Sequence, residues 1–495
     1  MEDFATSLPA CRPIECDVAI VGAELAGLIA GAILARQGRS VVVVDTPPQL
    51  GGGGGSTPLA GFWLDGGHRD GHDVTDMEVA WRHGERAARE AGVEVPIAPI
   101  ASALRVHLFP EFPPRSESQS LPGDFSPAGL SRLASEAFGV TPDQMPDFLA
   151  MLGRLAGAGS EEREAALETP LGDWLDAADS SPAVRRAVLV MVKTIFCEYP
   201  ERASAGRLMS FFSGGGEREE RRSGIPDDAE CGGMQGLSAP FARAIEAHGG
   251  RILLDHEPLE ILFEGRRVTG VVALGPAQLV LEVHARNTIV SYPIWDVLPL
   301  LPPERVDPGL ARVSERLEDE SADGLSLQIG LSRLPRLRST GEVESHAGWN
   351  RFLVGDERRY QGGFHIASMS SRRVAPPEQH LLNAMSLRWL RREERPRWSE
   401  TKRTLDAMRA SLREIYLDFD DCLNWEAYQW VQRPAAMAWF WAPVRRHPVA
   451  VPGCESLYLA NTTIESDSGP VEICAHAGLL ASHAILDAES ASPGA

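Results

Sequence analysis

The sequence predicts an α/β protein of several domains. Three observations carry that expectation: a strand–turn–helix–strand unit within residues 17–45, a helix-rich stretch from about 125 to 210, and mixed strands beyond 300 that lead into an aromatic tract. The 495 residues exceed what one hydrophobic core usually organises, so two or three domains sharing an interface are expected. A hydrophobic fraction of 43% and a charged fraction of 24% place the chain among globular proteins. Its net charge is −21, from 69 acidic and 48 basic residues. Such a surface repels phosphate backbones and anionic headgroups, which argues against nucleic acid or a membrane surface as partner.

Each element follows from its pattern. Residues 18–21 and 41–44 are short apolar runs of the kind found in buried parallel strands, and residues 25–36 between them have helical spacing. Gly38 follows the helix as a natural cap. The run 51–55 is all glycine, residues 78–92 read as helix, and 181–196 is a strong amphipathic segment. Residues 232–250 form a glycine-led helix. Strands are expected at 251–254, 259–263, 267–274, 279–283 and 288–291, then near 325–331, 351–355 and 363–369. A helix near 400–417, a strand at 457–460 and a helix from about 471 to 486 close the chain.

The seven cysteines are scattered and include no CxxC pair, which argues against a disulfide framework and against a structural zinc site. Only Lys193 and Lys402 are lysines, so any lysine chemistry must use one of them. The first residues are acidic and lack an apolar core, unlike a signal peptide. The apolar stretch 18–35 contains Glu24 and several glycines and does not read as a membrane span. A cytoplasmic protein is expected, with the oligomeric state left open.

The first βα turn is Gly22-Ala23-Glu24-Leu25-Ala26-Gly27. In a G-x-G-x-x-G turn the first glycine makes the bend, the second lets pyrophosphate approach the backbone, and the third lets helix pack on strand. Asp45 ends the second strand, where a carboxylate would take ribose hydroxyls. The alternative is a plain βαβ unit without ligand. Having strand, turn, helix and terminal acid in register favours the dinucleotide.

VAIVGAELAGLIAG with VVVVD, LGGGGG (50–55), GGMQGL (232–237) and LYLANTT (457–463) resemble the two-dinucleotide-binding-domain flavoproteins. Phytoene desaturase-like and amine oxidase-like enzymes belong to that group. The resemblance runs from about residue 15 to 488. It implies a Rossmann-like FAD-binding domain built from 15–105, 225–300 and 445–488 and a mixed-sheet substrate domain at 301–444, while helical spacing and the scarcity of strand-like runs predict a helical insertion at 106–215. It places Gly22, Ala23, Glu24, Leu25, Ala26 and Gly27 around the FAD pyrophosphate and Asp45 on the adenosine ribose. Gly51 and Gly52 would pass the phosphates, Leu259 would lie on the strand facing adenine, and Asn461 and Thr462 would sit beside the ribityl phosphate. Val471 would start a helix aimed at the flavin.

The chain departs from that pattern at three points. Glu24 replaces the second glycine, Gly53 stands where an arginine usually follows the doublet, and Asn461-Thr462 replaces a glycine–aspartate pair.

Two further segments are candidates for chemistry. His68, Arg69 and His72 lie in the polar run 67–73, whose metal reading lacks further ligands of suitable spacing; no metal site is expected. By the resemblance this loop approaches the flavin. Trp439 and Trp441 end an aromatic tract that begins at Trp425, readable either as core or as a wall around an apolar ligand. A pocket walled by Trp439 and Trp441, with Arg69 or His72 as polar contacts, is the expected substrate site.

Two functional readings follow. One is an FAD-dependent oxidoreductase, a phytoene desaturase-like dehydrogenase, desaturase or isomerase, acting on a small apolar or unsaturated substrate. The amine oxidase subtype ranks below it, because many such enzymes place a lysine near flavin N5 and neither lysine here matches that position. The other is a flavin-free member of the fold, serving as a binding protein or non-redox enzyme, as the Rab GDP dissociation inhibitors use the same architecture without flavin.

Overall fold

The computed structural model describes residues 13–65, 81–99, 104–109, 119–123, 127–195, 200–213, 224–320, 323–354, 360–388, 397–431, 442–466 and 470–491. Strand β1 (Ile14–Val21), helix α1 (Leu25–Arg36) and strand β2 (Val41–Val44) form the expected βαβ unit. The two strands are parallel, with Val18 to Val21 opposite Val41 to Val44. This sheet is covered on both faces, so β2 is four buried valines in a row and α1 is buried from Leu25 to Ala35. Around α1 lie the helices Gln235–Ala247 and Pro470–Ala491. They approach closely through glycine. A Cβ on Gly31 would fall 2.8 Å from Ile245, and one on Gly478 would fall 2.6 Å from Ile29.

Distant strands complete this sheet. Its order is Glu257–Glu264, Arg267–Leu274, Val280–Val290, β1, β2 and Arg251–Leu253, with Leu457–Leu459 also paired to Val280–Val290. A Rossmann-like sheet drawn from separated segments is therefore present. Beyond β2, β3 (Ser56–Leu59) and β4 (Phe62–Asp65) form a hairpin. Ala60 and Gly61 turn it with φ of 51° and 84°, the double positive φ that suits the twist of a tight hairpin. Helix α2 (Arg82–Ala91) then packs against the closing helix.

The second sheet has the order Leu423–Val431, Asp323–Leu331, His380–Arg388, Tyr360–Ile366, Trp349–Val354, Leu104–Phe109 and Gln119–Gly123. Alternate residues Leu325, Leu327, Ile329 and Leu331 face a core shared with Leu405, Met408 and Leu412 of the helix Trp398–Ile415. The opposite face carries Gln328, Asn383 and His365, directly paired across three strands and nearly inaccessible. Gln328 donates to the Asp65 carbonyl at 2.5 Å, which ties this sheet to the end of β4.

Helices between Pro127 and Ser213 enclose a separate core that includes Phe148, Leu155, Leu171, Val188 and Leu208. The range 106–215, read from the sequence as a helical insertion, begins differently. Residues 104–109 and 119–123 are strands of the second sheet. The alternation in 104–109 is one strand long and too short to stand out beside the helical periodicity that follows it.

Candidate functional site

The glycines at both ends of the first turn do what the motif requires. Gly22 has φ +99°, and a Cβ there would fall 2.9 Å from the Tyr292 ring. A Cβ on Gly27 would fall 2.7 Å from the Gly22 carbonyl, so the third glycine is needed for α1 to close on the strand. The middle position is different. Glu24 caps α1 from an extended backbone, and its carbonyl starts the helix by accepting from Leu28 at 2.9 Å. The backbone of residues 23–24 is bound to the glycine run, since the Gly51 N–H donates to the Ala23 carbonyl at 2.8 Å and Glu24 bridges to Gly51. The Glu24 side chain then lies on Gly52, where an added Cβ would fall 3.0 Å from the carboxyl carbon. Glutamate and doublet fill each other's space, and Glu24 is 8% exposed.

At the end of β2, Asp45 is 1% exposed. Its Oδ2 accepts from the Ala23 N–H at 2.8 Å; its Oδ1 accepts from the Thr46 N–H at 2.9 Å and from the Tyr292 hydroxyl at 2.5 Å. The ring of Tyr292, on the turn after the strand Val280–Val290, thus covers the carboxylate the motif would offer to ribose. Leu259 lies at a bulge in the edge strand Glu257–Glu264 with its side chain 43% exposed, while its neighbour Pro258 is the buried residue.

The far end is also turned inward. Asn461 Nδ2 donates to the Tyr292 carbonyl at 2.7 Å, and Asn461 Oδ1 accepts from the N–H and Oγ1 of Thr463 at 2.9 and 2.7 Å. His447 Nε2 lies 2.8 Å from Thr463 Oγ1, and burial pushes that imidazole down to about 4. Asn461 and Thr462 are 1% and 3% exposed. Between them and Glu24 a small cavity remains. It is lined by Glu24, Leu25, Gly51, Met234, Ser238 and Thr462, and by Val471 and Cys474 of the closing helix.

The structure therefore brings Gly22, Glu24, Gly51, Asn461, Thr462 and Val471 into one track, with Asp45 beside it. A dinucleotide does not fit that track as these residues occupy it. The Glu24 carboxylate lies on Gly52, where the resemblance would put pyrophosphate; Tyr292 engages Asp45, which it would give to ribose; and Gly53 offers no cation. Two like charges about 4 Å apart at an effective dielectric near 20 repel by about 4 kcal/mol, which is roughly a thousandfold in affinity.

His68, Arg69, His72, Trp439 and Trp441 lie outside the described residues. Among the described residues, no group of three or more His, Cys, Asp or Glu could hold a metal, and no helix is long and apolar enough to cross a membrane.

Tyr292, Asp65, Ser56, Ser238 and Glu472 are site residues that the sequence did not reveal. Asp65 Oδ1 accepts from the Met234 N–H at 2.9 Å and from Ser56 Oγ at 2.6 Å, and Ser56 Oγ in turn accepts from the Gln235 N–H at 3.0 Å. Together they cap the helix Gln235–Ala247 from a different part of the chain. Glu472 accepts the His83 and Gly84 N–H groups that open α2, at 2.7 and 3.2 Å, and its burial pushes the carboxyl up to about 7. These contacts join residues far apart in sequence, so no local motif marks them.

A family model described as an NAD(P)-binding Rossmann-like domain matches residues 20–83. No curated protein sequence matches the chain. Among solved structures, the chain is similar to an oxidoreductase from Methanosarcina mazei, with 16% identity over 95% of this chain and 100% of that one and a TM-score of 0.64. It is similar to cyclohexylamine oxidase from Brevibacterium oxydans, with 17% identity over 96% of this chain and 99% of that one and a TM-score of 0.58. A Rab GDI from Plasmodium falciparum aligns with 9% identity over 96% of this chain and 99% of that one, with a TM-score of 0.51. At such identities the likeness is one of fold. Residues 20–83 thus match a Rossmann-like domain, and the chain as a whole shares an α/β fold with cyclohexylamine oxidase.

Proposed function

We propose that this chain is a flavin-free member of the amine oxidase-like fold, a binding protein or non-redox enzyme. One observation carries the reading. The positions that would hold FAD are engaged within the protein: Glu24 on Gly52, Asp45 with Ala23, Thr46 and Tyr292, and Asn461 with Tyr292 and Thr463. Similarity in fold to a Rab GDI as well as to oxidases is compatible with a redox-independent use of the architecture.

A second reading, the FAD-dependent phytoene desaturase-like oxidoreductase acting on an apolar or unsaturated substrate, has its own support. The βαβ frame with Gly22 and Gly27 is intact, and from residue 20 onward it lies in the matched Rossmann-like domain. A single experiment separates the two. The purified chain is scanned for the visible absorbance of a bound flavin, then dialysed against excess FAD and scanned again. The first reading expects a colourless protein both times. Retained flavin in near-stoichiometric amount would reverse the order of the readings.

A further inference from the structure

We propose that the Glu24 carboxylate is a built-in anion that occupies the pyrophosphate position and helps hold the track shut. The proposal rests on the flavin-free reading and goes a step further, since that reading alone assigns Glu24 no favourable role. The small cavity beside Glu24 is bordered by the beginnings of three helices. Glu24 and Leu25 open α1, Met234, Leu237 and Ser238 open Gln235–Ala247, and Val471 in the first turn of Pro470–Ala491 is followed by Cys474 at the start of its second. A helix N-terminus carries partial positive charge that favours an anion, and here three of them border one spot, although the first N–H groups of Gln235–Ala247 are taken by Asp65 and Ser56.

Two independent features mark that spot as a built site. Gly52 lies at φ +52° without a Cβ, and this leaves room for the carboxylate that packs on it. Ser238 is 1% exposed and lines the cavity, and its Oγ has no hydrogen-bond partner among the described residues. A hydroxyl left unsatisfied beside converging helix ends is suited to a ligand oxygen. Elsewhere in the chain carboxyl groups do meet helix starts, Asp65 accepting from the Met234 N–H at Gln235–Ala247 and Glu472 from the His83 N–H at α2. Glu24 supplies by covalent attachment an anion that a phosphate ligand would otherwise bring. Without it, the cavity would take an inorganic pyrophosphate or the pyrophosphate of a dinucleotide.

Wild type, Glu24→Gln and Glu24→Gly are compared by thermal melting with and without inorganic pyrophosphate, and by calorimetric titration with FAD. Glu24→Gln keeps the volume and removes the charge; it is expected to melt below wild type at low salt. Glu24→Gly is expected to melt lower still, to regain stability on adding pyrophosphate, and to gain about tenfold or more in FAD affinity. Glu24→Gln melting at or above wild type overturns the proposal, as does a folded Glu24→Gly that responds to neither ligand. Should Glu24→Gly fail to fold, the glutamine variant decides alone. Either failure in a wild type that binds no flavin leaves the flavin-free reading in place, whereas FAD binding by wild type overturns both.

Discussion

Asp45 and Tyr292 form a buried pair at the end of β2. A carboxyl group 1% exposed is tolerable only where donors surround it, and Asp45 has the N–H groups of Ala23 and Thr46 and the Tyr292 hydroxyl. Tyr292→Phe keeps the ring over Gly22 and removes one donor, so it is expected to cost about 1–3 kcal/mol in urea denaturation. Unchanged stability would show that the two backbone donors suffice. Glu24 belongs to the same scale, since one residue in place of a glycine changes which ligands the turn admits. Its position could be read from the motif. Its contact with Gly52 could not, because that depends on how the glycine run folds back over the turn.

Two helices meet at Glu472, which lies in the first turn of the closing helix and caps α2 through His83 and Gly84. Burial raises its carboxyl from 4.5 to about 7, against the lowering by those two N–H groups and by Arg82. Between these values the folded form holds a proton that the unfolded form has released. Stability from this group therefore falls as pH rises from 4.5 through about 7, by about 3 kcal/mol in all. Glu472→Gln removes that proton exchange. Denaturation at about pH 5 and about pH 8 is expected to show a smaller loss of stability in the variant than in wild type. Equal losses would assign the pH dependence to other groups. The βαβ elements were legible because their periodicity and glycines are local. The strands at 104–109 and 119–123 became visible only through their partners, Trp349–Val354 and each other.

Across the whole molecule, Arg207 joins the helical unit to the C-terminal segment. It is 5% exposed and donates to the carbonyls of Val444 and Ser466 at 3.1 and 3.3 Å, with Glu465 at 3.2 Å. Arg207→Met keeps much of the volume and removes every one of these bonds. It is expected to destabilise the chain by about 2–4 kcal/mol and to split a single calorimetric transition, with the helical unit melting first. One coincident transition at an unchanged temperature would mean that apolar packing alone unites the two parts.

The βαβ unit at the start of the Rossmann-like frame could be read from residue spacing, while the strands 104–109, 119–123, 380–388 and 423–431 of the second sheet could not. Such patterns record local backbone preference and one-sided burial, both properties of neighbouring residues. The fate of the site could not be read that way. Gly22, Gly27 and Asp45 look the same in sequence whether they receive a dinucleotide or a tyrosine. What separates the two cases is that Tyr292, 247 residues from Asp45, and the glycine doublet, more than twenty residues from Glu24, are folded onto them. Occupancy of a groove is set by which distant side chains fill its volume and satisfy its polar atoms, and only the packed chain specifies that.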